Sequence, residues 1–224
     1  MWRLLLDEPR TAAGQMAKDT RLAREPKLTA RLFTWASPSI SLGWKQAAPE
    51  WLAASGIESV ERPTAGGLAF HGSDVSVAVV VPRELDIPLA SLMAALCGSA
   101  AELARSYGAD AYPALEAPSA GRIIYCLADI SPYAVMSGER KLAGFAIRRY
   151  PRTWLLQGSL LVSPIAAPLL QAMPEDAAAS VQRRAIPLSA AANDALTASE
   201  VRRRWAAHWS AWWDAALLQT EVVR

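Results

Sequence analysis

The residues of this sequence best suited to covalent chemistry are a cysteine and a lysine that lie fifteen positions apart. Cys126 precedes Lys141, and Gly144 interrupts the apolar run that follows the lysine. A cysteine thiolate is a strong nucleophile, and a nearby ammonium group lowers the pKa of the thiol. Glycine within a strand often marks a place where a ligand or another backbone comes close. The three residues together predict a reactive thiol. Taken alone, Cys126 also fits a buried structural cysteine, and Lys141 also fits a surface lysine.

A second candidate segment is a glycine-rich turn between two predicted strands. It runs from Arg62 through Gly66 and Gly67 towards His71. A Gly-Gly pair lets the backbone approach a ligand closely or take positive φ, and successive N–H groups can then face a polarised oxygen. Arg62 adds a fixed positive fork. An ordinary hairpin turn explains the Gly-Gly pair equally well, so this segment alone assigns no ligand.

The composition excludes several classes of protein. The chain has 224 residues, of which 52% are apolar and 20% charged, so we expect one domain with a full-sized core. Its apolar runs fall short of the roughly 18 to 20 residues that span a bilayer. Two cysteines and two histidines are too few for a disulfide framework or a Cys/His zinc site. Short arginine clusters separated by acids do not indicate nucleic-acid binding. We therefore expect a reduced, cytoplasmic protein with no metal, no membrane contact and no nucleic-acid partner.

Strand and helix patterns interleave along the chain. Predicted strands cover residues 31–35, 39–42, 57–61, 75–81, 122–127, 133–137, 141–148 and 154–162. Predicted helices cover residues 11–24, 48–55, 88–107, 165–173, 175–183 and 199–222, with residues 109–122 as an exposed loop. A turn over residues 137–140 predicts a hairpin, and hairpins favour antiparallel pairing. The order therefore indicates an α+β domain rather than a doubly wound sheet.

The last predicted helix carries a stripe of tryptophans. Trp205, Trp209, Trp212 and Trp213 follow the i, i+4, i+7, i+8 spacing of one helix face. This spacing predicts an apolar face packed on the core, and an aromatic partner-binding face is the alternative. Cys97 lies among apolar residues of another predicted helix and is interpreted as a small buried side chain.

Taken in order, these segments resemble the lipoate–protein ligase and octanoyltransferase superfamily, which shares its catalytic fold with biotin–protein ligases. The resemblance covers residues 1–162 of a single catalytic domain over residues 1–224, with residues 163–224 as a C-terminal helical extension. The matching blocks are residues 2–7, 32–46, 62–71, 138–149 and 158–161.

The resemblance implies mixed, largely antiparallel β-sheets flanked by helices, with an apolar tunnel for an eight-carbon acyl chain and a C-terminal helix. It implies that Cys126 and Lys141 are catalytic. It also implies a set of substrate-binding residues: Arg62, Thr64, Ala65, Gly66, Gly67, His71, Gly144 and Ala146. Ala65 replaces a usual glycine, which is expected to narrow the acyl path, and Gln157 replaces a usual histidine.

Two branches of the superfamily use different acyl donors. In the cysteine octanoyltransferases, a thioester relay moves octanoate from acyl carrier protein to a lysine of a lipoyl carrier domain without a cofactor. The spacing of Cys126 and Lys141 favours this branch. The alternative is an ATP- and Mg²⁺-dependent lipoate–protein ligase that acts through lipoyl-adenylate, and Gly67 is typical of ligases. The motif departures also leave open a non-catalytic paralogue that binds lipoyl domains.

Overall fold

A computed structural model of the chain describes residues 1–116, 123–129 and 131–222. These residues form ten strands, seven α-helices and one short 3₁₀ helix, Arg83–Leu85. The strands are β1 (Arg3–Leu6), β2 (Thr29–Phe33), β3 (Ser39–Leu42), β4 (Glu58–Glu61), β5 (Ala69–His71), β6 (Asp74–Pro82), β7 (Tyr112–Ala114), β8 (Ala134–Ser137), β9 (Arg140–Arg149) and β10 (Thr153–Leu161). The helices are α1 (Ala12–Leu22), α2 (Glu50–Ala54), α3 (Leu89–Arg105), α4 (Ala167–Gln171), α5 (Glu175–Arg184), α6 (Leu188–Ala191) and α7 (Ala198–Val222).

A seven-stranded sheet is the framework of the molecule. Its strand order is β1-β2-β6-β10-β9-β8-β7, and every pair is antiparallel except β1 with β2. The nine residues of β6 are all buried and mostly β-branched, as expected for a central strand. The prediction of an α+β fold with largely antiparallel pairing and a C-terminal helix is confirmed.

Side-chain alternation gives the large sheet two different faces. On β6, Val75, Val77, Val79 and Val81 pack in one cluster with α3 and α7. Residues of the opposite face, such as Ala78, pack with α1 and β2. Because successive strand residues point to opposite sides, one strand supplies both layers of the core.

A second sheet of three strands, in the order β4-β3-β5, covers part of that opposite face. β3 pairs in parallel with β4 and antiparallel with β5. Although β2 and β3 are consecutive in the chain, they belong to different sheets. The connection at Ser37 and Pro38 therefore carries the chain from one layer to the other, and a cleft lies between the layers.

The C-terminal helix completes the main core. Trp205, Trp209 and Trp213 are buried against α3, and Trp2 contacts the last two edge-on at centroid distances of 5.5 and 5.2 Å. The interpretation of the tryptophan stripe as a packed face is confirmed. Cys97, on α3, is buried in the same cluster, which confirms its interpretation as a small buried side chain.

Three local expectations need correction. Residues 123–127 form no extended strand, because only Tyr125 bridges Leu68 and the chain turns at Cys126; Arg122 lies outside the described residues. Within the predicted loop 109–122, β7 adds a short edge strand, and residues 117–122 are not described. The predicted glycine-rich turn between residues 61 and 75 contains a further short strand, β5, which His71 ends.

No helix within the described ranges is both long enough and apolar enough to cross a membrane.

Candidate active site

The Cys126 thiol and the Lys141 ammonium group flank one point above Gly144. A side-chain carbon on Gly144 would lie 2.7 Å from Cys126 Sγ and 3.6 Å from Lys141 Nζ. The ammonium group is buried and donates to the Asp129 carbonyl oxygen at 3.2 Å and to Ser131 Oγ at 2.6 Å. The glycine therefore keeps open a small space that a nucleophile and a cation both border.

Lys141 reaches this point because β9 carries a bulge. The pairing of β9 with β8 shifts register between Val135 and Met136, which leaves Leu142 without an opposite residue. In a regular strand, residues three apart point to opposite faces, so Lys141 and Gly144 would face apart. The extra residue turns Lys141 to the Gly144 side, and bulges beside active sites commonly re-aim a side chain in this way.

The glycine-rich segment between β4 and β5 holds the turn that carries Cys126. Leu68 N donates to Ile124 O at 2.7 Å, and Cys126 N donates to Leu68 O at 2.8 Å. Gly67 packs directly on this turn, because a side-chain carbon there would lie 2.6 Å from Ile124 O. The Asp129 carboxylate closes the turn by accepting from Ile124 N at 2.6 Å. The thiol is thus positioned mainly by backbone contacts.

The other glycine of the pair has the conformation that its sequence predicts. Gly66 takes a φ of +102°, which disfavours other residues. Gly43 approaches it so closely that a side-chain carbon on Gly43 would lie 2.0 Å from Gly66 O. Trp44 N donates to Thr64 O at 2.8 Å on the same side of the segment. The glycine-rich segment is therefore packed between two loops.

Arg62 braces the segment from inside. Its two terminal nitrogens donate to the carbonyl oxygens of Ser41 at 3.0 Å, Ala65 at 2.8 Å and Gly67 at 2.7 Å, and also to Ser41 Oγ at 3.3 Å. The side chain of Ala65 is exposed and does not line the cavity. The expectation that Ala65 narrows the acyl path is therefore wrong.

A buried hydrogen-bond chain continues from Arg62 into the large sheet. His71 Nε2 lies 2.8 Å from Ser41 Oγ, and His71 Nδ1 lies 3.0 Å from Asp74 Oδ2. Trp35 stacks on the imidazole at a centroid distance of 3.8 Å. Burial raises the pKa of Asp74, but the His71 charge and hydrogen bonds from neighbouring side chains outweigh burial, so the pKa of Asp74 lies below its usual value.

A second buried chain ties the segment to α1. Gln157 Oε1 accepts from Thr64 Oγ1 at 2.8 Å, and Gln157 Nε2 donates to Asp19 Oδ2 at 2.6 Å. Asp19 pairs with Arg31, yet burial is the larger effect and raises the pKa of Asp19. Gln157, one of the departures from the family pattern, therefore connects β10, α1 and the glycine-rich segment.

Cys126 lines the cavity between the two sheets. Of the residues predicted to bind substrate, Arg62, His71, Gly144 and Ala146 line it, together with Cys126. The remaining lining residues come from α1 and from both sheets: Met16, Phe33, Trp35, Ser41, Ala69, Ser76, Val77, Phe145, Gln157, Gly158 and Ser159. The cavity has a volume of about 40 Å³, which is room for a few water molecules. An eight-carbon chain can enter only if the lining side chains move apart.

Lys141 lines a different cavity from the one that Cys126 lines. This second cavity also contains three arginines: Arg140, Arg183 and Arg184. Cys126 thus borders a mostly apolar cavity, whereas Lys141 borders a cavity with four basic and three acidic side chains. In the part of the chain that the structure covers, no three His, Cys, Asp or Glu side chains are placed to hold a metal ion.

Comparison with known proteins identifies the family. The model of the lipoyl protein ligase A/B catalytic domain matches residues 12–210. The chain belongs to this family. The octanoyltransferase LipM of Symbiobacterium thermophilum is 32% identical over 188 residues, which are 75% of this chain and 68% of that protein. Such relatives support an acyltransferase or ligase activity.

Solved structures agree on the fold. The bipartite lipoate protein ligase of Thermoplasma acidophilum, described with its E2 lipoyl domain, matches with a TM-score of 0.73 and 22% identity, covering 94% of this chain and 82% of that one. A lipoate-protein ligase A bound with ATP matches with a TM-score of 0.69 and 20% identity, covering 91% of this chain and 81% of that one. These similarities confirm the fold, and the family model and the LipM relative confirm the resemblance inferred from the sequence motifs.

Sequence reasoning missed two residues of this site, Ser41 and Asp74. Ser41 was part of a matching block but carried no predicted role, and Asp74 directly precedes a predicted apolar strand. A usable signal was present for Asp74. An acid at the boundary of a buried strand needs a partner, and His71 stands three residues before it.

Proposed function

We propose that this chain transfers an octanoyl or lipoyl group to a lysine of a lipoyl carrier domain through a thioester on Cys126. The observation that carries the proposal is that Cys126 Sγ and Lys141 Nζ both lie beside Gly144, with Cys126 in the wall of a mostly apolar cavity. We infer that residues 1–224 act as one catalytic domain, because α7 packs in the same core cluster as the central strands.

In the first step, the Cys126 thiolate attacks the carbonyl carbon of an acyl thioester on acyl carrier protein. A carbon–sulfur bond to Cys126 forms, and the carbonyl oxygen takes the negative charge. Lys141 faces the space where this oxyanion develops, and one positioned donor contributes about 3 to 4 kcal/mol there. Collapse of the intermediate breaks the bond to the carrier sulfur, which leaves as a thiol after taking a proton.

In the second step, the neutral amine of the acceptor lysine attacks the Cys126 thioester. A carbon–nitrogen bond forms, the bond to Cys126 breaks, and the proton lost by the amine restores the thiol. Arg62 and the glycine-rich segment hold the turn of Cys126 during both steps, and His71 and Ala146 line the acyl channel. This route needs neither nucleotide nor metal.

The test is acyl transfer from octanoyl acyl carrier protein to a lipoyl domain, followed by intact-mass spectrometry. The wild-type protein should gain one octanoyl group that hydroxylamine removes, because a thioester is labile to it. Cys126→Ser should gain no hydroxylamine-labile group and should not acylate the lipoyl domain. Full transfer by this variant would exclude the thioester route.

A ligase route is the second candidate, and the three arginines of the cavity beside Lys141 favour it. Arg140, Arg183 and Arg184 fit phosphate groups, and a structural neighbour was solved with ATP. Mg²⁺ is usually held through one or two carboxylates together with substrate phosphates, so a preformed acidic cage is not required. ATP would supply the activated acyl group. Transfer from free lipoate that requires ATP and survives Cys126→Ala would establish this route.

A non-catalytic lipoyl-domain-binding role is the remaining alternative. Binding of the lipoyl domain without acyl transfer from either donor would support it.

A cytoplasmic location stays a prediction.

A further inference from the structure

We infer that the Arg62 guanidinium acts with Lys141 as the positive partner of the Cys126 thiolate. This inference rests on the proposed role of Cys126 as nucleophile. It assigns Arg62 a catalytic function in addition to its structural contacts with the glycine-rich segment.

The first argument is that the charge of Arg62 is buried without a carboxylate partner. Its hydrogen bonds go to three backbone carbonyl oxygens and to Ser41 Oγ. Among the residues with described side chains, no carboxylate oxygen lies within 4.0 Å of the guanidinium. A charge this deeply buried is costly unless an anion faces it. The buried charge of Arg62 in the cavity wall therefore indicates that an anion forms nearby.

The second argument is that the guanidinium and the thiol share one cavity. Arg62 and Cys126 both line the channel between the sheets, and Arg62 holds the Gly67 carbonyl oxygen beside the turn that carries the thiol. Burial lowers the pKa of Arg62, and a thiolate at Cys126 opposes this effect. The arginine nevertheless stays protonated throughout the working range of proteins.

Asp74 is the other buried anion near Arg62, but its charge is satisfied elsewhere. It connects to the guanidinium only through two hydrogen-bonded side chains, those of His71 and Ser41. Its two carboxylate oxygens accept from four neighbouring groups: His71 Nδ1, Gly72 N, Ser76 Oγ and Ser159 Oγ. The guanidinium therefore remains available for a thiolate that forms at Cys126 in the cavity wall.

The thiol thus has cations from two elements near it. Arg62 follows β4 and lines the same cavity as Cys126, and Lys141 belongs to β9 and lies beside Gly144. The other charged or titratable groups nearby are His71 in the cavity wall, Asp129, whose carboxylate is bound by backbone N–H groups, and Arg184, which donates to Ala128 O at 3.1 Å. A nearby positive charge favours the ionised form of a thiol.

The test is the pH profile of Cys126 alkylation by iodoacetamide, followed by mass spectrometry of the Cys126 peptide. Arg62→Met should raise the midpoint and slow alkylation at neutral pH about tenfold. Arg62→Lys should keep the midpoint near that of the wild type because it keeps the charge. Arg148→Met is the matched control, since Arg148 also braces the segment, donating to Pro63 O at 2.8 Å, but does not line the cavity. Equal shifts in the Met and Lys variants, no shift in either, or the same shift in the control would overturn the inference.

A second measurement needs no change at Arg62. In Lys141→Met, Cys126 should still be alkylated at a lower pH than in the urea-unfolded protein, because one cation still faces the thiolate. A midpoint equal to or above that of the unfolded protein would contradict the inference even if Arg62→Met does not fold. No acyl donor is involved in either measurement. A depressed midpoint together with failed acyl transfer would therefore refute the proposed function and leave the inference standing.

Discussion

At the scale of single residues, the site depends on a side chain that is missing. Gly144 leaves open the space that Cys126 Sγ and Lys141 Nζ both face. An acyl carbonyl must occupy such a space to reach the thiol and the cation together. The glycine is therefore as specific a requirement as the two reactive groups.

Gly144→Ala should slow formation of the acyl-enzyme about 100-fold, because the new carbon would lie 2.7 Å from Cys126 Sγ and push the thiol out of line. The melting temperature should change little, since a cysteine side chain can rotate away. Gly14→Ala in α1 is the control, where the nearest contact would be 3.2 Å. The measurement is burst-phase acylation, and an undiminished burst in Gly144→Ala would refute this reasoning.

Asp74 gives a prediction about pH. Its pKa in the folded protein lies below the ordinary 3.8, so its contribution to stability is present above pH 3.8 and is lost as the pH falls through the folded pKa. Asp74→Asn should lower the free energy of unfolding at pH 7 by about 3 kcal/mol. This difference should shrink as the pH falls below 3.8, because the carboxylate of the unfolded chain then binds a proton, and it should be lost once the folded carboxylate is protonated too. Urea unfolding at several pH values tests it, and a difference independent of pH would contradict it.

At the scale of elements, the bulge in β9 decides which of two adjacent cations enters the site. It turns Lys141 towards Gly144, whereas Arg140 is exposed at the start of the strand. The strand pattern alone places Lys141 and Gly144 on opposite faces.

Lys141→Met should therefore reduce acyl transfer by about 100- to 1,000-fold, because one donor to the developing oxyanion is lost. Arg140→Met should retain most of the activity in the transferase assay. Steady-state rates with octanoyl acyl carrier protein measure both. Comparable losses in the two variants would mean that charge in the second cavity, and not the bulge geometry, sets the rate.

The sequence predicts most elements because apolar periodicity and glycine positions dominate them. It fails where tertiary contacts replace local pattern. Residues 122–127 read as a strand, but there the chain makes one bridge to Leu68 and then turns. The register shift opposite Leu142 leaves no trace in residue types. The motifs do indicate which residues meet, whereas the Ser41–His71–Asp74 chain requires knowing that β3 and β6 lie in facing sheets.

At the scale of the whole molecule, α7 is part of the core. Trp209 is 1% exposed and contacts three other tryptophans, whereas Trp212, on the same helix, is only half-buried. The spacing predicts this face because it follows the helical repeat.

Trp209→Ala should cost about 3 to 5 kcal/mol in the free energy of unfolding, because it leaves a large cavity in the main core. Trp212→Ala should cost about 1 kcal/mol. Urea denaturation followed by circular dichroism measures both variants. Similar losses would show that the helix docks through a different face.

The two faces of the large sheet divide the molecule into separately adjustable halves. Along β10, Leu156 and Leu160 point to the helices, whereas Gln157 and Ser159 point to the cleft. Thermal robustness could thus be engineered by repacking the helical half while leaving turnover alone. Acyl-chain preference could be redesigned on the cleft side of the sheet. Any resulting loss of stability could be offset by repacking the helical side.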